Sequence, residues 1–279
     1  MDRYVIRGGQ AGYERLQLLA RVWWPDTRAL LQRAGVAASM RCIDLGCGGG
    51  AVTLEIARMI APDGHVNGID MDDVKLDLAR EAAAKRGLQN VEFRAMNLNE
   101  WNECDAYDVV FCRFVLQHLR HPVEILRRMW AAVRPGGVII VEDPDFDGWC
   151  SHPPNDGFDF FLRAYSQAIA HWGGDHASGR KLYSYFLEAG IAHPEVAVAQ
   201  PVYLAGDDGK TLPLSTLEAT GDAILEAGSA SRQELDAAVA RLAEFTDDPG
   251  SLISGPRVFQ LWARRSLSPC SRGASDRTT

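Results

Sequence analysis

The sequence predicts an α/β fold built on a doubly wound, mostly parallel sheet. Three observations carry this. Short apolar runs alternate along the chain with helical patterns. Asp108-Val109-Val110-Phe111-Cys112 is apolar almost throughout, as a parallel strand covered on both faces should be. Asp44-Leu45-Gly46-Cys47-Gly48-Gly49-Gly50 sets a glycine turn between the end of an apolar run and a helix start.

The glycine turn is the most informative stretch. Cys42-Ile43 leads into Asp44, and a helical segment with Leu54, Ile56, Ala57 and Ile60 follows. Gly46, Gly48 and Gly50 permit positive φ and close approach of backbone to a ligand. The helix start that follows offers free N–H groups. Such a turn suits a nucleotide-like ligand. Gly46-x-Gly48-x-x-Ala51 also satisfies the dinucleotide fingerprint. Asp44 tips the choice, because a carboxylate there would face a pyrophosphate and repel it. The same carboxylate suits a ligand carrying an ammonium and a sulfonium.

The next elements follow in order. His65 to Ile69 predicts a second strand ending at Asp70, where an acid can accept bonds from both ribose hydroxyls. Asp70 could instead cap the Asp73–Arg86 helix, a role Asp72 fills equally well. Val91 to Ala95 predicts a third strand, followed by Met96-Asn97-Leu98. The fourth strand, Asp108 to Cys112, leads into Arg113-Phe114-Val115-Leu116-Gln117-His118-Leu119. Pro122 opens a helix with Val123, Ile125, Leu126, Met129 and Val133 on one side. Arg134-Pro135-Gly136-Gly137 stops it, and Val138 to Val141 predicts a fifth strand ending at Glu142-Asp143.

Asp44-x-Gly46-x-Gly48-x-Gly50 resembles the first motif of class I S-adenosylmethionine (SAM)-dependent methyltransferases. The stretch from Arg113 through Arg134-Pro135-Gly136-Gly137 to Glu142-Asp143 is similar to the later motifs of that family. Together these motifs cover roughly residues 40–145 in the right order. The resemblance implies a Rossmann-like, seven-stranded, mostly parallel sheet with its last strand antiparallel, plus an N-terminal helical lid and helical insertions. It implies SAM as cofactor. It places the cofactor against Tyr4, Asp44, Gly46, Gly48, Gly50, Asp70, Met71, Asn97, Leu98, Arg113, Gln117 and His118. Asn97 stands where the family often has an Asp that contacts the adenine amino group; an Asn carbonyl oxygen can still accept that bond.

The N-terminus adds a second resemblance. Tyr4, Gly8, Gly9 and Glu14-Arg15-Leu16 are similar to the start of many quinone-biosynthesis-like methyltransferases. That implies helices folded over the pocket, with Tyr4 and Arg15 as lid residues. The same segment reads equally as a surface helix burying Leu16, Leu19 and Trp23. Trp23-Trp24-Pro25 is expected to break this helix before Asp26 caps the next.

Beyond the fifth strand the chain is less constrained. Phe158 to Trp172 predicts a helix carrying Phe158, Phe160, Phe161, Tyr165 and Trp172, ended by Gly173-Gly174. Its aromatics suit an apolar or aromatic acceptor held by stacking, or a core. Gly179 to Gly190 predicts another helix. Pro194 to Leu204 predicts the sixth strand and Arg257 to Ala263 the seventh, with a helical stretch Leu214–Phe245 between them. That insertion is either a cap over the pocket or an oligomer contact, and a homodimer is possible. The expected divisions are a lid (residues 1–36), a SAM-binding core (37–145), the rest of the fold with its insertions (146–265) and a disordered tail (266–279).

Composition sets further expectations. At 279 residues, one α/β domain with insertions is long enough to bury a full core. No apolar run approaches a membrane span and no signal peptide opens the chain. The six scattered cysteines lack a Cys-x-x-Cys pair, which suits a reduced cytoplasm. The net charge of −8 disfavours a nucleic-acid partner. Asp145, Asp147, His152, His171, Asp175 and His176 match no metal motif, so no metal is expected.

The expected activity is methyl transfer to a small-molecule acceptor, on oxygen in preference to nitrogen or carbon. A hydroxyl acceptor benefits from a general base. His118 and His176 are the candidate catalytic residues, with His152 and His171 also in view. The alternatives are a SAM-fold enzyme that does not methylate and an NAD(P)-dependent oxidoreductase, for which no Tyr-x-x-x-Lys is present.

Overall fold

The computed structural model describes residues 9–267. Tyr4, and the part of the expected tail beyond Leu267, lie outside the described residues. The core is a seven-stranded sheet of β1 (Arg41–Leu45), β2 (His65–Asp70), β3 (Val91–Ala95), β4 (Tyr107–Arg113), β5 (Val133–Asp145), β7 (Glu195–Ala199) and β10 (Arg257–Arg264), in the spatial order β3-β2-β1-β4-β5-β10-β7. The pairings β3-β2, β2-β1, β1-β4 and β4-β5 are parallel. β10 lies antiparallel between β5 and β7. The expected sheet, with its last strand reversed, is present.

Side chains alternate between the faces of this sheet. Ile43, Leu45, Val110, Cys112, Ile139 and Val141 meet α4 (Pro122–Ala132) and α6 (Ser178–Glu188) on one face. Cys42, Val109, Phe111, Val138 and Ile140 meet α1 (Gly9–Arg33) and α2 (Ala51–Ile60) on the other. α3 (Asp73–Lys85) packs against Phe93 at the β3 edge. Both faces are covered, which is why the middles of the central strands are apolar and their polar residues, Asp44, Asp108, Arg113, Glu142, Asp143 and Asp145, lie towards the strand ends.

A second layer sits beyond the carboxyl ends of the strands. α5 (Asp156–His171), α7 (Leu212–Glu226) and α8 (Arg232–Asp247) pack together around Phe158, Phe161, Leu217 and Leu242. A small sheet of β6 (Ser151–His152), β9 (Leu252–Ser254) and β8 (Val202–Tyr203) closes their base. Among the described residues, no helix is long and apolar enough to cross a membrane.

Four expectations shift here. α1 runs unbroken through Pro25 instead of breaking there. The proline removes one helix bond, a cost of about 3 kcal/mol. Burial of Trp23, Leu30 and Leu31 on both sides of it contributes about 1.5–3 kcal/mol each, so packing wins. The stretch Leu214–Phe245 is two helices: Gly228 at φ 67° ends α7, and a Ser231–Glu234 capping box starts α8. The expected sixth strand divides at Gln200-Pro201, so that β7 joins the main sheet and β8 the small one. The fifth strand runs past Glu142-Asp143 to Asp145, because β10 pairs with it along the register Arg264–Val138 to Arg257–Asp145.

Gly50 belongs to the packing of the fold. It caps the start of α2 at φ 70°, and a Cβ there would lie 2.8 Å from both Ala79 and the Phe93 ring. Gly50→Ala combines backbone strain with overpacking and should lower stability by about 1–3 kcal/mol. Urea unfolding of the two proteins measures this; an unchanged midpoint would show that the turn tolerates a side chain.

Candidate active site

A cavity of about 600 Å³ opens at the carboxyl ends of β1, β2, β4 and β5. Open α/β sheets bind ligands at this edge. Its floor is the glycine turn after β1, the segment Asp70–Lys75 after β2, Met96–Asn99 after β3 and Phe114–Leu119 after β4. α1 covers it with Arg15, Leu16, Leu19, Ala20 and Trp23, and the second layer adds Phe146, Trp149, Tyr165, Leu212 and Thr216. α7 is therefore a wall of the cavity, through Leu212 and Thr216.

The glycine turn is held from below and above. Gly46 and Cys47 donate their N–H groups to the Ile69 carbonyl at 2.8 and 3.0 Å, and Gly48 donates to Asp70 Oδ2 at 2.8 Å. Asp70 Oδ1 accepts from the Asp72 N–H at 3.0 Å. Each carboxylate oxygen keeps a lone pair for a further donor. Asp72 caps α3 through the Val74 and Lys75 amides, so Asp70 is not the cap. Above the turn, a Cβ on Gly49 would fall 2.6 Å from the Tyr13 ring, so α1 lies directly on the backbone.

Asp44 sits at the bottom, fully buried, accepting a 2.6 Å bond from the Thr53 hydroxyl. Burial pushes its carboxyl up to about 6, against the opposing pull of the Thr53 bond and the Arg113 charge. Arg113 donates to Thr27 Oγ1 at 3.1 Å. Burial draws its guanidinium down, while Glu142 and Asp44 hold it charged. Asn97 Oδ1 accepts the Asn99 N–H at 2.9 Å, which leaves its second lone pair and its NH₂ for a ligand.

After β4 the chain turns sharply. Phe114 occupies the left-handed region at φ 59°, a strained state for a bulky residue, with its N–H on the Glu142 carbonyl at 2.8 Å. The turn sets its ring edge-on to Trp23 at 5.8 Å and brings Gln117 and His118 to the cavity. Gln117 donates from Nε2 to the Phe114 carbonyl at 3.4 Å, and its buried Oε1 has no partner among the described residues. Burial, then the charges of Arg15 and Lys75, hold the His118 imidazole down at about 3. The ring is neutral at ordinary pH.

The outer half of the cavity is aromatic. Phe146 stands 5.4 Å from Trp149 and 5.3 Å from Tyr165, centroid to centroid. Arg15 enters from α1 with 8% of its surface exposed and donates from Nε and Nη2 to Thr216 Oγ1 at 3.2 and 3.0 Å.

Most of the residues expected to hold the cofactor come together here. Asp44, Gly46, Gly48, Asp70, Met71, Asn97, Leu98, Arg113, Gln117 and His118 all line the cavity. Gly50 does not, since it faces Ala79 and Phe93. His176 does not either: its ring meets Asp147 Oδ1 at 3.1 Å beside Arg180, away from the lining. His152 and His171 are exposed. Of the four aromatics on α5, Tyr165 alone reaches the cavity, and Phe158, Phe160 and Phe161 are core; Trp172 follows the helix end. Phe146, Trp149 and Thr216 line the site without any sequence signal beyond their type. Among the described residues, no group of three or more His, Cys, Asp or Glu side chains is placed to hold a metal ion.

Comparison with known proteins agrees with this geometry. Residues 37–190 match the model of a methyltransferase domain. The chain is 33% identical over 142 residues to a ubiquinone biosynthesis O-methyltransferase of Acinetobacter baumannii, an alignment covering 45% of this chain and 59% of that protein. It thus spans less than two thirds of the length of such curated relatives. Among solved structures it is similar to a putative methyltransferase from Bacillus halodurans (TM-score 0.59, 17% identity, 87% of this chain and 99% of that one). It is also similar to the [4+2]-cyclase SpnF (TM-score 0.54, 17% identity, 88% of this chain and 81% of that one). At such identities the likeness is one of fold. On the domain match and the sheet topology, the chain belongs to the methyltransferase domain family and has the class I SAM-dependent methyltransferase fold.

Proposed function

We propose that the protein is a SAM-dependent methyltransferase acting on a small apolar or aromatic acceptor, with oxygen as the methylated atom. One observation carries the reading. A single cavity joins an acid-and-glycine half to an aromatic half, so that a cofactor and an acceptor can meet inside it. The name of the Acinetobacter relative supports the choice of oxygen.

The residues present fit the cofactor. Asp44 is a buried carboxylate facing the cavity with one hydroxyl partner, and it suits an ammonium. Asp70 keeps two lone pairs at the turn, a match for a ribose diol. Met71, Asn97 and Leu98 would flank the adenine. Bound there, SAM supplies a methyl group made electrophilic by its sulfonium.

The protein's part is to align and to exclude water. α1 lies on the glycine turn and shields it. Trp23, Phe114, Phe146, Trp149 and Tyr165 surround the acceptor with apolar surface. His118 stands where β4 ends, with a neutral imidazole that can accept a hydrogen bond from an acceptor hydroxyl. Held at about 3, it orients that hydroxyl more than it removes its proton. His176, its ring bonded to Asp147, is not among the residues that line the cavity.

Two outcomes are expected. Asp70→Asn should weaken S-adenosylhomocysteine binding at least about tenfold, the scale of one lost charge-assisted bond, with little change in thermal unfolding. Near-normal calorimetric affinity would remove Asp70 from the ribose role. The second concerns pH. Binding an ammonium requires ionised Asp44, whose carboxyl is raised to about 6. S-adenosylhomocysteine affinity should therefore climb as pH rises through about 6 and level off above it. The Thr53 bond favours the ionised form, so Thr53→Val should move that midpoint to higher pH. 5′-Methylthioadenosine, which lacks the amino-acid moiety, should show neither effect; an equal pH response from both ligands would detach Asp44 from the ammonium.

A further inference from the structure

The charges around the cavity are sorted by sign. Its acids, Asp44, Asp70, Asp72 and Asp73, all belong to the ends of β1 and β2 and the segment that follows. Of its cations, Lys75 meets Asp72 at 3.2 Å, and Arg113 is held by Glu142 and Asp44. Arg15 has no such match. It is more than nine-tenths buried and held by the Thr216 hydroxyl, and among the described residues its Nη1 has no hydrogen-bond partner. A second buried donor with no partner among the described residues, Trp149 Nε1, belongs to a residue of the same aromatic half.

An arginine guanidinium is always charged, and burying it without an anion is strongly unfavourable. A hydroxyl accepts one share of its donors and supplies no charge. The ligand must bring the anion. We propose that the acceptor is an anionic arene or similar apolar acid whose carboxylate is received by Arg15 Nη1, with Trp149 Nε1 as a further donor in the same pocket. The inference rests on the methyltransferase reading and narrows its acceptor class.

The cofactor also carries a carboxylate, so position decides between the two sources. Arg15 is tied to α7, an element of the outer wall. Its charge acts on Tyr165, on the acceptor side, and on His118, where the two halves of the cavity meet. The charges that act on Asp44, where the cofactor's amino-acid end would lie, are Arg113 and Asp70. Among the described residues that line the aromatic half there is no acid, so a protonated amine acceptor meets Arg15 there, with the Asp143 charge acting on Tyr165 from behind the lining.

The test is calorimetric binding to the full chain saturated with S-adenosylhomocysteine, using benzoate, 2-naphthoate and 4-hydroxycinnamate beside their neutral amides. At least one acid should bind about tenfold more tightly than its amide, as a charge-assisted bond would give. Arg15→Gln, which keeps a donor for Thr216, should erase that preference and leave S-adenosylhomocysteine affinity within about twofold. Trp149→Phe removes one N–H and should lower acid affinity about three- to fivefold, and it reads the same pocket if Arg15→Gln does not fold. No preference for any acid over its amide, including no binding at all, overturns the proposal. So does a tenfold loss of S-adenosylhomocysteine in Arg15→Gln with 5′-methylthioadenosine unaffected, which would give Arg15 to the cofactor carboxylate. Failure of the wild-type protein to bind S-adenosylhomocysteine would instead refute the methyltransferase reading itself.

Discussion

The bond from the Gly48 N–H to the Asp70 carboxylate is the constraint on which the site depends. It joins the loop after β1 to the end of β2, two neighbouring parallel strands whose loops would otherwise be independent. Once it forms, the turn presents bare backbone to the cavity, Asp70 points along the strand ends, and α2 and α3 leave in fixed directions. The Ile69 carbonyl reinforces the same junction by taking both the Gly46 and Cys47 amides. The strands provide the position, and these few bonds convert it into a binding edge.

Much of this half was legible in the sequence because backbone geometry demands particular residues there. Positive φ at Gly46 and Gly48 needs glycine. An acid at a strand end has few uses other than a ligand or a cap, and Asp72 had already filled the cap. The parity of the central strands follows from their two covered faces. Gly50 shows the limit of such reading. It occupies the same repeating pattern as Gly46 and Gly48, but its need for no side chain comes from Ala79 and Phe93, which are distant in sequence.

The acceptor half was poorly legible for a corresponding reason. Its wall is assembled from α1, the turn after β5, α5 and α7, and no local rule marks which residue of each faces inward. An aromatic helix announces itself by composition, and yet packing against α7 and α8 takes all but Tyr165 of its aromatics. Trp149, on the connection after β5, carries no pattern. Pro25 was misleading in the opposite way: a strong local signal for a break was overruled by apolar residues buried on both sides of it. Local rules hold where the backbone decides and fail where distant elements compete for the same side chain.

α1 performs two tasks with adjacent residues. Tyr13 and Leu16 lie on the glycine turn, and Arg15 between them reaches the outer wall through Thr216. A change that shifts this helix to suit a new acceptor would therefore disturb the contact over the turn as well. Diversification has a freer path through Phe146, Trp149, Tyr165 and Leu212, which touch the cavity from elements that do not cover the turn. The fold thus separates a roof fixed against the turn from adjustable walls, and an engineer seeking new acceptors would leave the first helix alone and vary the walls.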